Sequence, residues 1–320
     1  MVDQVDVLVA GSGVAGLSAA VFASRHGRRT LVVTGETLGG HLLSVGSVED
    51  FIGFPKPLPG YDVCPAIQEQ ASAAGAEFLP ASVLRMECTA DGLRVETDQG
   101  DVAARSVILA SGSHLRSLGI PGESRLRGKG VSDCASCDGP LFRGKTAAVV
   151  GDGDSALQES LELAQHVERV ILLARGASLS GQQSYAQRVL ENPRIEVRYD
   201  TIVDEIVGND AVEAVRLRGA RDGAPALLDV SAAFVFVGLE PRTSYLDGFL
   251  ELDDDGKVPT DDRLRTGVRG VLAAGDIRSG SAGQAASAAG DGVSAAVAAD
   301  RFLRDGQWPS PFQIWRRDGA

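Results

Sequence analysis

The feature that most constrains the fold is a pattern that the chain contains twice: an apolar strand, a glycine-rich turn and a helix. The first copy joins residues 5–10 to a turn of the form GxGxxG, and the second joins residues 146–150 to a turn of the form GxGxxA. In such a turn the first glycine allows a tight bend, the second lets the backbone approach a pyrophosphate, and the third position brings helix and strand together. The repetition predicts an α/β chain with two Rossmann-like, three-layer dinucleotide-binding domains.

The two turns supply the first candidate binding residues. A second strand, residues 31–33, follows the first copy, and the acid that commonly holds a ribose hydroxyl at such a strand end is replaced by Thr34, with Glu36 two residues later. The turn residues predicted to lie at phosphates are Gly11, Ser12, Gly13, Ala15 and Gly16 in the first copy, and Gly151, Gly153, Asp154, Ser155 and Ala156 in the second.

A further nucleotide-binding signal lies near the C-terminus. A buried strand is predicted over residues 270–276, and a long helix of small residues is predicted from about residue 284 to residue 303. The strand ends in Gly275 and Asp276, and an aspartate beside a helix N-terminus can hold a ribityl or ribose hydroxyl. An ordinary helix cap is the alternative interpretation of Asp276.

Residues 133–139 carry two cysteines separated by two residues, Cys134 and Cys137, with Asp138 directly after them. Two thiols at this spacing can close a readily reduced disulfide, and a thiolate at the start of a helix is stabilised by unsatisfied backbone N–H groups. Asp138 is placed to supply a proton. The alternative is half of a zinc site, but zinc needs four ligands and the other two cysteines are distant and not so spaced. No metal is predicted.

Apolar periodicity predicts several elements between these motifs. We expect a helix over residues 65–75, a meander of strands over residues 82–109, and a helix over residues 157–166. A further pair of strands is expected at residues 195–197 and 211–217.

Composition narrows the classes of partner. The chain has 320 residues, enough for about two domains, and a net charge of −12, which disfavours nucleic acid and anionic lipid as partners. Four cysteines are too few for a secreted disulfide scaffold, and no run of about 18 apolar residues could span a membrane. The N-terminal residues show no secretory signal. These features predict a cytoplasmic protein.

The motifs together resemble those of low-molecular-weight thioredoxin reductases over nearly the whole chain. The cysteine pair lies beside the second nucleotide-binding pattern, whereas glutathione-reductase-like relatives carry it after the first helix. The residues that carry the resemblance are Gly11 to Gly16, Gly39-Gly40-His41-Leu42, Ala110-Ser111-Gly112, Cys134 to Gly139, Gly151 to Ala156, Gly275-Asp276 and Gln284-Ala285.

The resemblance implies a homodimeric flavoenzyme whose second domain is inserted into the first. The FAD-binding domain would comprise residues 1–116 and 243–320, and the NAD(P)H-type domain residues 117–242. Hydride from a reduced nicotinamide would pass to FAD, then as electrons to the cysteine pair, and on to thioredoxin or a similar small disulfide protein. Cys137 would face the flavin, Cys134 would attack the partner's disulfide, and Asp138 would serve as the acid.

Further cofactor residues follow from the same resemblance. Arg175 is the expected contact to the nicotinamide nucleotide. Beyond the first glycine turn, the expected FAD residues are Thr34, Gly35, Glu36, Gly39, Gly40, His41, Leu42, Asp50, Val83, Ala110, Ser111, Gly112, Gly275, Asp276, Gln284 and Ala285.

The sequence departs from the family at the nucleotide site. The family's basic cluster for the 2′-phosphate of NADPH is reduced to Arg175, with Ala174, Gly176 and Ser180 around it. Each missing charge-assisted contact is worth about 1.5–3 kcal/mol, and Ala174 does not supply the acid that an NADH site prefers. NADPH and NADH therefore both stand as candidate donors. His41 also replaces a common glutamine, and Gly283 replaces a usual arginine.

Three alternatives follow from these departures. The scaffold could take electrons from a ferredoxin-type donor, or act as a dithiol oxidase on a small molecule, or bind flavin without turnover. Relatives that act as oxidases typically carry histidine after the second cysteine, so Asp138 favours reduction. The intact cysteine motif disfavours a non-catalytic module.

Overall fold

The structure is a computed structural model that describes residues 4–308. The chain forms two compact units. Of the described residues, one unit comprises 4–114 and 241–308, and the other is Leu115–Glu240. The chain leaves the first unit once and returns to it, and the predicted α/β class with an inserted second unit is confirmed.

The strands and helices are named here in chain order. The strands are β1 (Val5–Ala10), β2 (Thr30–Val33), β3 (Glu77–Leu79), β4 (Val83–Thr89), β5 (Gly92–Thr97), β6 (Gly100–Leu109), β7 (Ser113–Leu115), β8 (Val131–Ser132), β9 (Thr146–Val150), β10 (Arg169–Leu173), β11 (Ile195–Arg198), β12 (Thr201–Val207), β13 (Ala214–Gly219), β14 (Pro225–Asp229), β15 (Ala232–Val235), β16 (Leu239–Pro241) and β17 (Val271–Ala273). The α-helices are α1 (Val14–Arg25), α2 (Gly60–Ala73), α3 (Ala135–Asp138), α4 (Asp154–Leu163), α5 (Gln183–Glu191) and α6 (Ala285–Asp305). Short 3-10 helices are Gly40–Ser44, Gly139–Phe142, Ser244–Leu246 and Gly275–Ile277.

The first unit is built on one sheet with the order β3-β2-β1-β6-β5-β4, and β17 also pairs with β6. Strands β1, β2, β3, β6 and β17 are parallel, whereas β4, β5 and β6 form the predicted antiparallel meander. Strand β1 is apolar on both faces, because Val7 and Val9 enter one core cluster and Leu8 and Ala10 enter the other. This double burial accounts for the uninterrupted apolar run at residues 7–10.

Helices α1 and α6 pack closely in the first unit because small residues line their contact. A Cβ at Gly292 of α6 would lie 2.1 Å from the carbonyl oxygen of Ala15 in α1. Gly292 is buried, and Ala295, Ala296 and Ala299 on the same helix are also buried in the apolar core. The small residues of this predicted helix are therefore what lets the two helices approach.

The second unit contains a parallel sheet with the order β11-β10-β9-β15-β8 and a separate antiparallel sheet with the order β12-β13-β14. Apolar clusters cover the parallel sheet, with Phe234 of β15 fully buried and Val149 of β9 beside it in the cluster that receives α4 and α5. Strands β7 and β16 pair with one another at the two points where the chain passes between units.

Several predicted elements need correction. Helix α2 begins at Gly60, not at Pro65, and Pro65 lies inside it with an exposed side chain. Helix α4 begins directly at the glycine turn and ends at Leu163, three residues earlier than predicted. The residue patterns missed both boundaries because apolar periodicity becomes weak where a helix meets a loop.

The two strands predicted near residues 195 and 211 do not pair with each other. Strand β11 joins the parallel sheet beside β10, whereas β13 lies between β12 and β14 in the antiparallel sheet. Strands β12 and β14 were not predicted. Both are edge strands, and neither β12 (TIVDEIV) nor β14 (PALLD) alternates regularly between apolar and polar side chains.

Among residues 4–308, no helix is both long enough and apolar enough to cross a membrane.

The packing of α1 on α6 generates a prediction about stability. Gly292→Ala would push a methyl group against the backbone of Ala15, so we expect the free energy of unfolding to fall by about 1–3 kcal/mol. Gly290→Ala is the matched control, because a Cβ there meets no atom within 4 Å and the position is exposed on the same helix. Alanine should stabilise the helix at Gly290 by up to about 1 kcal/mol. Urea unfolding of both variants measures the difference, and equal stabilities would contradict the close contact.

Candidate active site

The cysteine motif forms a disulfide-closed turn at the start of α3. Cys134 and Cys137 are joined with their Cα atoms 5.3 Å apart. Cys134 is the N-cap residue of α3, and its backbone N–H donates to the hydroxyl of Ser132 at 3.2 Å. Cys134 is buried while Cys137 is exposed. Both members of the predicted redox pair therefore lie in one short turn of the second unit, with Asp138 as its last residue.

A buried carboxylate supports this turn from α4. The Glu159 side chain is 7% exposed, and its Oε2 accepts the backbone N–H of Ala135, the residue between the two cysteines that begins α3, at 2.7 Å. Burial raises the pKa of Glu159 to about 7; the hydrogen bond from Ala135 opposes that rise, and the negative charges of Glu162 and Asp133 add to it.

Sequence reasoning missed Glu159, although the sequence contains a signal for it. Helix α4 buries Ala156, Leu157, Ser160 and Leu163, and Glu159 is three residues after Ala156 and four before Leu163. An acid on the apolar face of an amphipathic helix is a residue that needs a buried partner.

The first glycine turn is closed by backbone contacts on one side and open on the other. Gly11 has a φ of 118°, and a Cβ there would lie 2.3 Å from the carbonyl oxygen of Ala110. A Cβ at Gly16 would lie 2.0 Å from the carbonyl oxygen of Gly11, whereas one at Gly13 would meet nothing within 4 Å. Gly13 is the N-cap of α1, so unsatisfied N–H groups of the first helical turn face that open side.

Hydrogen bonds and close backbone contacts connect the first glycine turn to the loops around it. The buried Ser12 hydroxyl donates to the carbonyl of Thr34 at 2.8 Å, and the backbone N–H of Gly39 lies 3.3 Å from the same hydroxyl. A Cβ at Gly40 would lie 3.1 Å from the Cα of Gly13. The structure thus brings the predicted residues of the turn, the end of β2 and the Gly39–Gly40 loop together, with Ala15 buried in α1 and Leu42 half-buried in the following 3-10 helix.

The end of β2 also meets the segment that leads into β4. The N–H of Thr34 donates to the carbonyl of Leu79, and the N–H of Gly35 donates to that of Ala81. Val83 follows at the start of β4 and packs, partly buried, on the apolar core. The side chains of Glu36, His41 and Asp50 are exposed.

The C-terminal Gly-Asp pair is held by an ion pair that the sequence did not reveal. Asp291 of α6 accepts the N–H of Gly275 at 3.0 Å and binds the Arg278 guanidinium through both oxygens, at 2.6 and 3.0 Å. A Cβ at Gly275 would lie 2.8 Å from that of Ala15, so this pair adjoins the glycine turn. Asp276 accepts the hydroxyl of Ser281 at 3.0 Å.

The remaining predicted residues of the first unit flank these two segments. Gln284 is the N-cap of α6 and Ala285 its first residue. After β6, the hydroxyl of Ser111 donates to the carbonyl of Arg242 at 2.9 Å and lies 3.2 Å from the hydroxyl of Tyr245. Burial raises the pKa of Tyr245 to about 12, so this phenol stays protonated. Gly112 has a φ of 65°.

The second glycine turn has the same closed side. Gly151 has a φ of 140°, and a Cβ there would lie 2.2 Å from the carbonyl oxygen of Phe236. Gly153 is the N-cap of α4, and a Cβ there would meet only the Ser180 hydroxyl, at 3.8 Å. Ala156 is buried behind the turn and Ser155 is exposed.

Two acids of this turn are engaged by the loop that follows β10. Asp152 accepts the Ser180 hydroxyl at 2.6 Å, and Asp154 accepts the backbone N–H of Gln182 at 2.6 Å. Arg175, at the end of β10, is exposed. The structure therefore brings Asp154 and its neighbours to a loop of polar groups with one arginine close in sequence.

The other two cysteines lie in the first unit. Cys64 is buried in α2, and its thiol donates to the carbonyl of Gly39 at 3.0 Å, while Cys88 is exposed on β4. Burial raises the pKa of Cys64 to about 11. Among residues 4–308, no group of three or more His, Cys, Asp or Glu side chains is arranged to hold a metal ion.

Comparison with known proteins agrees with this arrangement. The pyridine nucleotide-disulphide oxidoreductase family profile matches residues 5–292. The chain is 40% identical over 298 residues to a thioredoxin reductase of Treponema pallidum, covering 93% of this chain and 97% of that protein. The chain belongs to the low-molecular-weight thioredoxin reductase family. The predicted family is therefore confirmed.

Solved thioredoxin reductases share the fold. The Lactococcus lactis structure has 30% identity and a TM-score of 0.92, covering 94% of this chain and 99% of that one. The T. acidophilum thioredoxin reductase structure has 32% identity and a TM-score of 0.90, covering 93% of this chain and 98% of that one. Membership of this thioredoxin reductase family makes the protein a flavin oxidoreductase that uses FAD and a pyridine nucleotide.

The first glycine turn fits the dinucleotide that the thioredoxin reductase family uses. A pyrophosphate needs a backbone that it can approach closely and N–H groups at a helix start. Gly13 offers the open approach, α1 offers the N–H groups, and Gly11 and Gly16 are positions where no other residue fits the backbone contacts.

The cysteine environments generate a prediction about labelling. At about pH 8 a thiol with a pKa of about 11 is thiolate in only about one molecule in a thousand, and the thiolate is the species that reacts. Iodoacetamide should therefore label Cys88 within minutes and leave Cys64 unlabelled in the folded, oxidised protein. Peptide mass spectrometry reads out each site, and denaturation is the control that should expose Cys64. Rapid labelling of Cys64 in the folded protein would contradict its burial.

Proposed function

We propose that the protein is an FAD-dependent disulfide reductase that passes electrons from a reduced nicotinamide through FAD to the Cys134–Cys137 disulfide, and from there to thioredoxin or a similar small disulfide protein. The observation that carries the proposal is the closed cysteine pair beside a second dinucleotide turn, in a chain that resembles thioredoxin reductases over most of its length. We further propose a homodimer in the cytoplasm, where thiols are kept reduced.

The proposed division of labour follows the two glycine turns. Residues 1–116 and 243–320 would bind FAD, and residues 117–242 would bind the nicotinamide nucleotide. The open side of Gly13 supports the first assignment and that of Gly153 supports the second. FAD, when bound, supplies the conversion of a hydride into an electron pair that a disulfide can accept.

The cysteine pair then performs a balanced exchange. Two electrons and two protons convert the disulfide into two thiols. The Cys134 thiolate attacks the partner's disulfide, which releases one partner thiol and leaves a mixed disulfide. The Cys137 thiolate breaks that bond, so the partner leaves as a dithiol and the Cys134–Cys137 disulfide forms again. Asp138 is proposed to hold and return the proton during these steps.

The assignment of roles to the two cysteines carries a structural requirement. Cys134 is buried and Cys137 is exposed. A partner disulfide must therefore gain access to the buried sulfur before attack by Cys134 can occur. The exposed Cys137 has no such requirement, so trapping experiments with single-cysteine variants decide between the two sulfurs.

The function is tested by anaerobic mixing and by turnover. Reduced nicotinamide should bleach the flavin absorbance, and thioredoxin should be reduced at the nicotinamide's expense. Cys134→Ser and Cys137→Ser should each lower thioredoxin turnover by about a thousandfold or more, because neither single thiol can re-form the disulfide. Both variants should still show flavin bleaching by nicotinamide.

Cys88→Ser is the control, since Cys88 is an exposed thiol outside the pair, and it should retain full turnover. Full turnover in either variant of the pair would refute the dithiol assignment. Absence of bleaching with both NADPH and NADH, together with bleaching by a dithiol, would refute the nicotinamide donor and favour a ferredoxin-type donor.

We propose that the choice between NADPH and NADH depends on Arg175. It is the basic residue closest in sequence to the end of β10, and the neighbouring polar groups of the loop are engaged by Asp152 and Asp154. One charge-assisted contact to a 2′-phosphate is worth about 1.5–3 kcal/mol, so NADPH should be preferred by about tenfold to a hundredfold.

Arg175→Ala should therefore lower kcat/KM for NADPH by about tenfold to a hundredfold and leave kcat/KM for NADH within about twofold. Arg221→Ala is the control, because Arg221 is a highly exposed arginine of the same unit that pairs with Asp200. Steady-state kinetics with both nucleotides measure the effect. An equal loss of kcat/KM with NADPH and with NADH would show that Arg175 does not bind the 2′-phosphate.

A further inference from the structure

The cysteine turn rests on a buried, ionisable carboxyl group whose presence its hydrogen bond alone does not explain. Glu159 accepts one backbone N–H, that of Ala135, at 2.7 Å. A neutral glutamine could accept the same N–H without the cost of burying a charge, which is several kcal/mol for an unpaired ion. If the side chain served only to accept this N–H, an ionised carboxylate would destabilise the fold relative to glutamine.

The charged groups around Glu159 do not neutralise it. Asp133, before the turn, pairs with Arg127, and Glu162, one turn further along α4, pairs with His166. Glu159 itself forms no ion pair with any residue between positions 4 and 308. The two acids instead add to the negative potential at its carboxylate.

The other elements packed against α4 bring no cation to this carboxylate. Strand β9 is TAAVV, and β10 carries its charged residue, Arg169, in an ion pair with Glu196. Helix α5 contributes Tyr185 to the shared core, and Arg188 lies over that ring. From α3 and the turn before it, the titratable groups are Cys134, Cys137 and Asp138.

The carboxylate is close to the sulfur of the turn. Glu159 Oε2 contacts the nitrogen of Ala135, and that nitrogen is bonded to the carbonyl carbon of Cys134. From that carbonyl carbon, the Cα and Cβ atoms of Cys134 lead directly to its Sγ. At such a range in a buried site, one negative charge disfavours the formation of another.

We propose that Glu159 is a positioning residue for the redox disulfide: it fixes the start of α3 through Ala135 and, when ionised, disfavours the thiolate form of the reduced pair, so that it sets the thiol–disulfide equilibrium of Cys134 and Cys137. This inference rests on the proposed function, because it assumes that the pair cycles between disulfide and dithiol. A pair whose thiolate is disfavoured is a stronger reductant of its partner, since its reduced form is less stable.

The titration of Glu159 gives the effect a pH dependence. Burial raises the pKa of Glu159 to about 7. Below about pH 7 the carboxyl is neutral and exerts no repulsion, and above it the charge is present. The influence of Glu159 on the cysteine pair should therefore be absent at about pH 6 and fully developed at about pH 8.5.

The decisive variant is Glu159→Gln, which keeps an acceptor oxygen for Ala135 and removes the charge. The FAD-bound protein is equilibrated anaerobically in buffers of reduced and oxidised dithiothreitol, then quenched by alkylation. Mass spectrometry of the peptide that contains Cys134 and Cys137 gives the fraction reduced. This readout does not require thioredoxin or a nicotinamide.

At about pH 8.5 the equilibrium constant for reduction should be about tenfold larger in Glu159→Gln than in the wild type, which is about 30 mV. At about pH 6 the two proteins should agree. The matched control is Glu123→Gln: Glu123 is 2% exposed, lies in the same unit, and accepts the N–H groups of Leu118 and Gly119 at 3.0 and 2.8 Å. The Glu123→Gln variant should leave the thiol–disulfide equilibrium of Cys134 and Cys137 unchanged at both pH values.

An equilibrium in Glu159→Gln that matches the wild type at about pH 8.5, or an equal shift in Glu123→Gln, would overturn the inference. If Glu159→Gln does not fold, Glu159→Asp supplies the test, because its shorter side chain withdraws the charge from Ala135 and should raise the constant about threefold. An unchanged constant in that variant would also overturn the inference. If the wild-type protein does not reduce thioredoxin, that result would count against the proposed function alone.

Discussion

The close approach of backbone to backbone at the two glycine turns is the constraint on which the rest of the structure depends. In the first unit, Gly11 lies against the carbonyl of Ala110, just beyond β6. In the second, Gly151 lies against the carbonyl of Phe236, just beyond β15. Each turn thus locks the end of the strand that precedes it, β1 or β9, to the end of the parallel strand beside it. Any side chain at either position would force the two parallel strands apart.

From this constraint the positions of the chemical groups follow. Because each turn starts a helix at the carboxyl edge of a parallel sheet, the N-termini of α1 and α4 come to the edge where dinucleotides bind in this class of fold. The Gly275–Asp276 segment reaches the same place in the first unit through β17 and is fixed there by Asp291. In the second unit the cysteine turn packs on α4 through the apolar cluster that contains Ala135, and Glu159 of α4 accepts the backbone N–H of that residue.

Much of this could be predicted from the sequence, because the strongest patterns are local. Strand β9 matches its predicted bounds, since a continuous apolar run followed by a glycine turn is a short-range signal. The family followed from motif order. The edge strand β14 was missed because an exposed strand shows only weak alternation of apolar and polar side chains. Glu159 and Asp291 were missed because their partners, Ala135 and Gly275, are 24 and 16 residues away and are backbone groups that no residue pattern marks.

Helix α4 is short and contributes residues to two sites, the nucleotide turn and the cysteine turn. Its first residue, Asp154, belongs to the nucleotide turn, and Glu159 on its buried face supports the cysteine turn. A rigid helix cannot be moved at one end without moving the other. Attempts to redesign nucleotide specificity by altering the length or start of α4 would therefore also change the electron affinity of the disulfide. Loop residues beyond β10, such as Arg175 and Ser180, are where specificity can be changed independently.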